Sequence, residues 1–133
     1  MQRPLKLIVG PSKILETPCR PDFSIPEWVI PEMFHLLRQH RGSGLAAPQV
    51  GIDARLFVTA WGMVYINPVI TWRGDRTVRT SEGCLSFPGV VTSMTRYLQI
   101  DMCGHGYDGT QAIVLQHELD HLDGFHIAME GAG

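Results

Sequence analysis

The clearest pattern of apolar and polar positions lies toward the C-terminal end of the chain. Ala112, Leu115, Leu119 and Leu122 recur at helical spacing and form one apolar stripe. Asp108 stands where an N-cap belongs, Gln111 where a capping-box partner would reach back, and Gly124 where a helix would stop. A second face of this helix carries Ile113, His117 and His121. A weaker helical pattern runs over Glu32 to Arg41, with Met33, Leu36 and Leu37 on one side. Pro26 and Pro31 break the chain before it and Gly42 ends it. The middle of the chain reads as strands. Leu56 to Trp61 and Val64 to Ile66, divided by Gly62, predict a hairpin, and Val69 to Trp72 and Thr77 to Arg79 flank the turn signal Gly74-Asp75. Val90 to Thr92 and Tyr97 to Met102 are further strand candidates, and Leu5 to Val9 reads as a strand or an extended docking segment. The expectation is an α+β fold of short antiparallel strands and hairpins around a central C-terminal helix, with one N-terminal helix. Residues 1–133 are expected to form a single domain.

Composition narrows the partners. With 44% hydrophobic and 18% charged residues, the chain can bury a core, and nothing suggests disorder. A net charge of -2 gives no electrostatic reason to expect nucleic acid or an anionic membrane. Met1 to Val9 lacks the apolar run of a signal peptide, and no segment reaches transmembrane length, so a cytoplasmic protein is expected. Cys19, Cys84 and Cys103 are odd in number, widely spaced and without a CxxC pair. They argue against both a disulfide framework and a structural zinc site.

The second face of the C-terminal helix carries the chemistry. His117-Glu118-Leu119-Asp120-His121 is an HExxH motif, whose two imidazoles lie one turn apart and can reach one metal ion. The intervening glutamate stays free to move protons. The bland alternative is an amphipathic helix that happens to contain two histidines, and the caps and the matching apolar stripe weigh against it. A metal hydrolase needs a third ligand and an open position for water. Cys84, Cys19, Cys103, the other histidines and several carboxylates are all candidates. Cys84, within Glu82-Gly83-Cys84-Leu85-Ser86-Phe87-Pro88, combines a thiol with glycine flexibility, but a lone cysteine is more often a small buried hydrophobe.

Three segments together resemble one family. Gly42-Ser43-Gly44-Leu45-Ala46-Ala47-Pro48-Gln49 is similar to the first motif of the peptide deformylases, GxGLAAxQ. Glu82-Gly83-Cys84-Leu85-Ser86 resembles the second, EGCLS, and Gln116-His117-Glu118-Leu119-Asp120-His121 the third, QHExDH. The order is also that of the family. The resemblance implies hydrolysis of the N-formyl group from formyl-methionyl nascent peptides. It implies that Cys84, His117 and His121 bind one divalent metal, Fe(II) in cells with Zn(II), Ni(II) or Co(II) accepted, and that Glu118 is the general acid/base. It further implies that Gln49 and the Leu85 backbone N–H stabilise the oxyanion and that Gly44 holds the substrate. Ile113, Val114 and Leu45 are candidates for the walls of a methionine slot, with Ser43 beside them; Val114 is turned partly away from the ligand face. Two imidazoles and one thiolate leave such a site with a charge of about +1, and the soft sulfur suits Fe(II) or Zn(II).

The match also departs from the family. The sequence ends at Gly133, soon after Gly124, where typical members continue into a C-terminal helix. Compact forms of this kind resemble those carried by bacteriophages, so a phage source, acting in the bacterial cytoplasm, is expected. Val91 falls where many bacterial members have an arginine, and Thr80 and Ser43 where the pocket is often more apolar. A monomer is expected, with transient ribosome contact. One rival is a zinc peptidase with a downstream third ligand, for which only His126 and Glu130 remain; another is an inactive binding module. His35 and His40 are expected to face solvent, Trp61 and Trp72 to pack on strands, and Arg96 and Glu82 to form an ion pair beneath the site. Asp120 either orients a ligand histidine or is an exposed or capping residue.

Overall fold

The computed structural model describes residues 5–131. Met1 to Pro4, Ala132 and Gly133, and the side chain of Glu130, lie outside the described residues. Among the described residues, eight strands form three antiparallel sheets around two long helices and one short one. The first sheet is β1 (Gly44–Ala46), β2 (Leu56–Thr59) and β3 (Val64–Ile66). The second is β4 (Ile70–Arg73), β7 (Gln99–Met102) and β8 (His105–Asp108), and the third is the long hairpin β5 (Thr77–Cys84) and β6 (Phe87–Tyr97).

The core explains why β2 reads as an unbroken apolar run. Side chains of a strand point alternately to its two faces, and here both faces are covered. Leu56 and Val58 join Met33, Leu36 and Leu37 of α1 (Val29–Gln39) on one side. Phe57 joins Ala112, Leu115 and Leu122 of α2 (Gly109–Leu122) on the other. Strand β1 divides in the same way, with Leu45 in the first cluster and Ala46 in the second. The sheet therefore lies between the two helices, and the stripe predicted for α2 is its buried face, with Leu119 at the margin.

Several expectations are corrected. Helix α1 begins at Val29, so Pro31 sits inside its first turn, where a missing N–H has no helical acceptor to leave empty. Its left-handed terminal residue is Arg41 (φ 55°), not Gly42; the Gly42 N–H closes the helix by donating to the Leu37 carbonyl at 3.1 Å. Gly74-Asp75 does not turn a hairpin. Strand β4 pairs with β7, while β5 pairs with β6 from Thr77↔Tyr97 to Cys84↔Phe87. One local turn signal is outweighed by that long ladder, and the Gly74 N–H donates instead to the Gln99 carbonyl at 2.9 Å. Val90 to Thr92 belongs to the single strand β6. Asp108 is at the N-cap of α2 with extended backbone, but its side chain makes no cap bond and Gln111 is exposed.

Gly124 ends α2 as expected, in the left-handed conformation (φ 85°), and a Cβ there would meet the backbone at Thr17 and Pro18 at 3.0 Å. A third helix that the pattern did not predict, α3 (Ile127–Gly131), packs on β6, where the Thr92 hydroxyl donates to the Ile127 carbonyl at 3.2 Å. Leu5 to Val9 is the extended docking segment rather than a strand, tied by the Ile8 N–H to the Gln49 carbonyl at 2.7 Å. No helix among the described residues is long and apolar enough to cross a membrane.

Candidate active site

The HExxH helix α2 supplies two of the site's donors, and the end of β5 supplies the third. Donor atoms of Cys84, His117 and His121 all lie within 4.8 Å of one another, and Cys84 Sγ is 3.3 Å from His121 Nε2. Among the described residues this is the one cluster of three His, Cys or acidic side chains with metal-ligand spacing. Of the three cysteines, Cys84 alone joins the two histidines: Cys19 is buried in the core and Cys103 is exposed on the β7–β8 turn. Burial pushes the Cys19 thiol up to about 11, the behaviour of a buried apolar side chain rather than a ligand.

The donor set fits a divalent cation. The His117 Nδ1 is 2.9 Å from Glu82 Oε1, which orients the ring and leaves Nε2 for a metal, the arrangement by which carboxylates fix ligand histidines. Burial disfavours a charged His117, yet the hydrogen bonds that its ring can donate to Cys84 and Glu82 prevail and hold its pKa up to about 10. Burial, with His117 as a neighbouring charge, holds His121 well below the ordinary histidine value. The Glu82 carboxylate thus attracts positive charge at His117, beside a His121 imidazole held neutral and ready to donate a lone pair.

Beneath this cluster lies the ion pair expected from sequence. Arg96 donates to both Glu82 oxygens, at 2.7 and 2.9 Å, and to Asp120 Oδ2 at 2.6 Å. Asp120 therefore holds Arg96 and not a histidine. The Thr80 hydroxyl also donates to Glu82 at 2.5 Å. Together these bonds outweigh burial and keep the Glu82 carboxyl well below the usual carboxylate range.

Glu118 is the contrasting carboxylate. It is 4% exposed, its Oε1 has no hydrogen-bond partner, and burial pushes its pKa up to about 7 against the pull of His117 and Arg96. It packs directly on Gly44: a Cβ at that position would lie 2.7 Å from Glu118 Oε2 and 2.8 Å from its Cδ. This close packing against Glu118 is a reason for Gly44 that the sequence pattern alone did not supply. Gln49 is fixed at both ends of its amide. Its Oε1 accepts from the Ala46 N–H at 2.9 Å, so its Nε2 faces Ser86 Oγ at 3.1 Å and Cys84 Sγ at 3.6 Å.

These groups open onto a cavity of about 470 Å³. Ser43, Gly44, Gln49, Cys84, Leu85, Ile113, Val114, His117 and Glu118 all line it, so Val114 faces the cavity despite its position on the helix. Leu45 does not line it: its side chain is fully buried in the core against α1. Phe87, which the sequence did not single out for the wall, does line it, as does Val91. His126, the downstream ligand that the peptidase reading requires, is buried elsewhere, with Nε2 2.8 Å from Glu16 and its ring stacked on Phe87 at 4.2 Å. His35 and His40 are exposed, Trp61 packs against the second core cluster, and Trp72 is 50% exposed rather than packed.

Comparison with known proteins points one way. The family model described as Polypeptide deformylase matches residues 4–130. A peptide deformylase of Brachyspira hyodysenteriae is 36% identical over 116 residues, covering 72% of this chain and 62% of that protein, so the chain matches under two thirds of its length. The solved peptide deformylase of Thermotoga maritima superimposes with a TM-score of 0.86 at 32% identity, covering 96% of this chain and 97% of that one. A deformylase from the Vibrio parahaemolyticus bacteriophage VP16T does so with a TM-score of 0.82 at 28% identity, covering 92% and 100%.

Proposed function

This chain belongs to the polypeptide deformylase family, and from that premise we propose that it hydrolyses the N-formyl group of formyl-methionyl nascent peptides, releasing formate. The observation that carries the reading is the convergence of Cys84, His117 and His121 beside the unpartnered carboxylate oxygen of Glu118. Cys84, His117 and His121 would hold one divalent ion; a thiolate with two imidazoles suits Fe(II) or Zn(II). When bound, such an ion supplies a Lewis acid that makes water acidic enough to give hydroxide near pH 7.

The chain's own residues do the rest. Glu118, with a pKa raised to about 7, is suited both to take the proton of the attacking water and to return it. The new bond joins the water oxygen to the formyl carbon, and the bond that breaks is that carbon to the methionine nitrogen. Glu118 then delivers its proton to that nitrogen, giving formate and a free amine. Negative charge that develops on the formyl oxygen would be met by Gln49 Nε2, already pointed at Cys84, and by the Leu85 N–H. One such donor is typically worth roughly 3 kcal/mol. Ile113 and Val114 give the cavity an apolar wall for the methionine side chain. Such substrates emerge from ribosomes in the cytoplasm, which is where the proposal places the enzyme.

The test is release of formate from formyl-Met-Ala-Ser by protein purified without oxygen, with bound metal measured in the same sample. Turnover with about one metal per chain, lost in Glu118→Ala while the metal stays, supports the proposal. Full metal content without turnover would refute it.

A further inference from the structure

We propose that Arg41 is a specificity-determining residue, selecting formylated peptides that carry an acidic side chain downstream of the methionine. This rests on the proposed deformylase activity and names a preference within it. Besides Cys84, four lining residues of the cavity are charged or titratable: Arg41, Glu82, His117 and Glu118. Glu82 is neutralised by Arg96, and Glu118 and His117 belong to the catalytic floor. Arg41 alone of the four is exposed, and among the described residues it makes no ion pair. The lining stretch Pro88, Gly89, Val90 and Val91 carries no charge, and Val91 is 70% exposed. Arg41 is therefore the one exposed charge that the cavity lining offers a peptide.

The backbone that carries this cation is fixed. Arg41 adopts φ 55°, a conformation in which glycine is usual, at the end of α1. Its N–H donates to the Arg38 carbonyl at 3.2 Å, and the next N–H, of Gly42, to that of Leu37 at 3.1 Å. Gly42 is wedged against the turn that bears Leu85: a Cβ there would lie 2.8 Å from Leu85 Cδ1 and 2.9 Å from Leu37 Cδ1. The guanidinium thus extends from an anchored point at the edge of the cleft, next to the segment Ser43–Gly44 that leads to Glu118. A formylated peptide has no terminal ammonium, so the charge it presents here comes from side chains beyond the methionine. An exposed cation facing one carboxylate across partly screened solvent shifts binding by about two- to five-fold.

The experiment compares kcat/KM for C-terminally amidated formyl-methionyl peptides with Asp, Asn or Lys scanned through the second, third and fourth positions. At one of these positions Asp should be preferred over Lys by about two- to five-fold, with Asn between them. The preference should shrink in 1 M salt, where the screening length falls to roughly 3 Å, and should invert in Arg41→Glu. The ratio is read within each protein, so a general loss of activity in the variant does not disturb it. Equal use of Asp and Lys peptides at all three positions by the unmodified enzyme would overturn the proposal, as would the same preference in Arg41→Glu. An enzyme inert toward every peptide, Asn included, would overturn the deformylase activity itself and this preference with it.

Discussion

Replacing Glu118 by Gln should abolish turnover and, in metal-free protein, raise stability at pH 8. The carboxyl is almost wholly buried, Oε1 lacks a partner, and its pKa is pushed up to about 7 by burial. In an unfolded chain glutamate titrates near about 4.3. A carboxyl whose native pKa is raised binds its proton more tightly in the folded state. Native stability therefore falls as pH rises from the unfolded value toward the folded one, and the penalty is complete above about pH 7. At about 1.36 kcal/mol per pKa unit the full penalty approaches 3–4 kcal/mol, and local relaxation reduces it to about 1–3 kcal/mol. For a chain of this length that corresponds to roughly 4–12 °C in Tm. Gln keeps the size and removes the charge. The assay is thermal unfolding of chelated protein and variant at pH 8 and pH 4, with formate release measured after metal is restored. A Tm gain at pH 8 that vanishes at pH 4 is expected. Equal Tm values at both pH values, or a variant less stable at pH 8, would refute the reasoning.

Three other substitutions probe the support of the site. Arg96→Met leaves Glu82 buried without its cation and should cost about 3–5 kcal/mol, seen as a lowered denaturation midpoint; a loss under about 1 kcal/mol would mean that the pair is not buried in solution. Because the folded Glu82 pKa is depressed, its contribution is fully present above the unfolded value near about 4.3 and is lost as pH falls through the lower folded value. Stability should therefore drop more steeply between about pH 5 and pH 2 in the unmodified protein than in Glu82→Gln, and parallel curves would contradict this. Gly44→Ala places a Cβ 2.7 Å from Glu118 Oε2 and should reduce kcat by at least about ten-fold, with a stability loss of about 1–3 kcal/mol; unchanged kcat would show that Glu118 can move aside freely.

What the sequence made legible follows from the range of each signal. The apolar stripe and the two histidines of α2 were readable because one helix carries both, so a single period fixes core face and ligand face together. The terminal glycine was readable for the same reason, since Gly124 needs only its own left-handed backbone to end the helix. The meeting of Cys84 with the histidines was not readable from spacing, because Cys84 reaches His121 across 37 positions, and only the family resemblance pointed to it. Local turn chemistry misled at Gly74-Asp75, where the partner of each strand is set by the long ladder between β5 and β6. Leu45 is a candidate for the cavity wall in the sequence. Alternation along β1 instead sends it into the core against α1, away from the cavity.

The same long-range contacts explain how two histidines and a cysteine on separate elements come to share a point. Arg96 on β6 grips Glu82 on β5 and Asp120 on α2, and Glu82 in turn grips His117 on α2. The chain of bonds leaves α2 at Asp120 and returns to it at His117, one turn away. A loop closed in this way resists rotation of α2 about its own axis, because rotation would stretch one end as it relaxed the other. It also resists sliding of the β5–β6 hairpin, whose end carries Cys84. The buried ion pair therefore acts chiefly on geometry: burying charges contributes little net stability by itself, and the best-supported use of such a pair is to fix one arrangement. Here the fixed arrangement is the angle at which β5 presents Cys84 to the two histidines of α2.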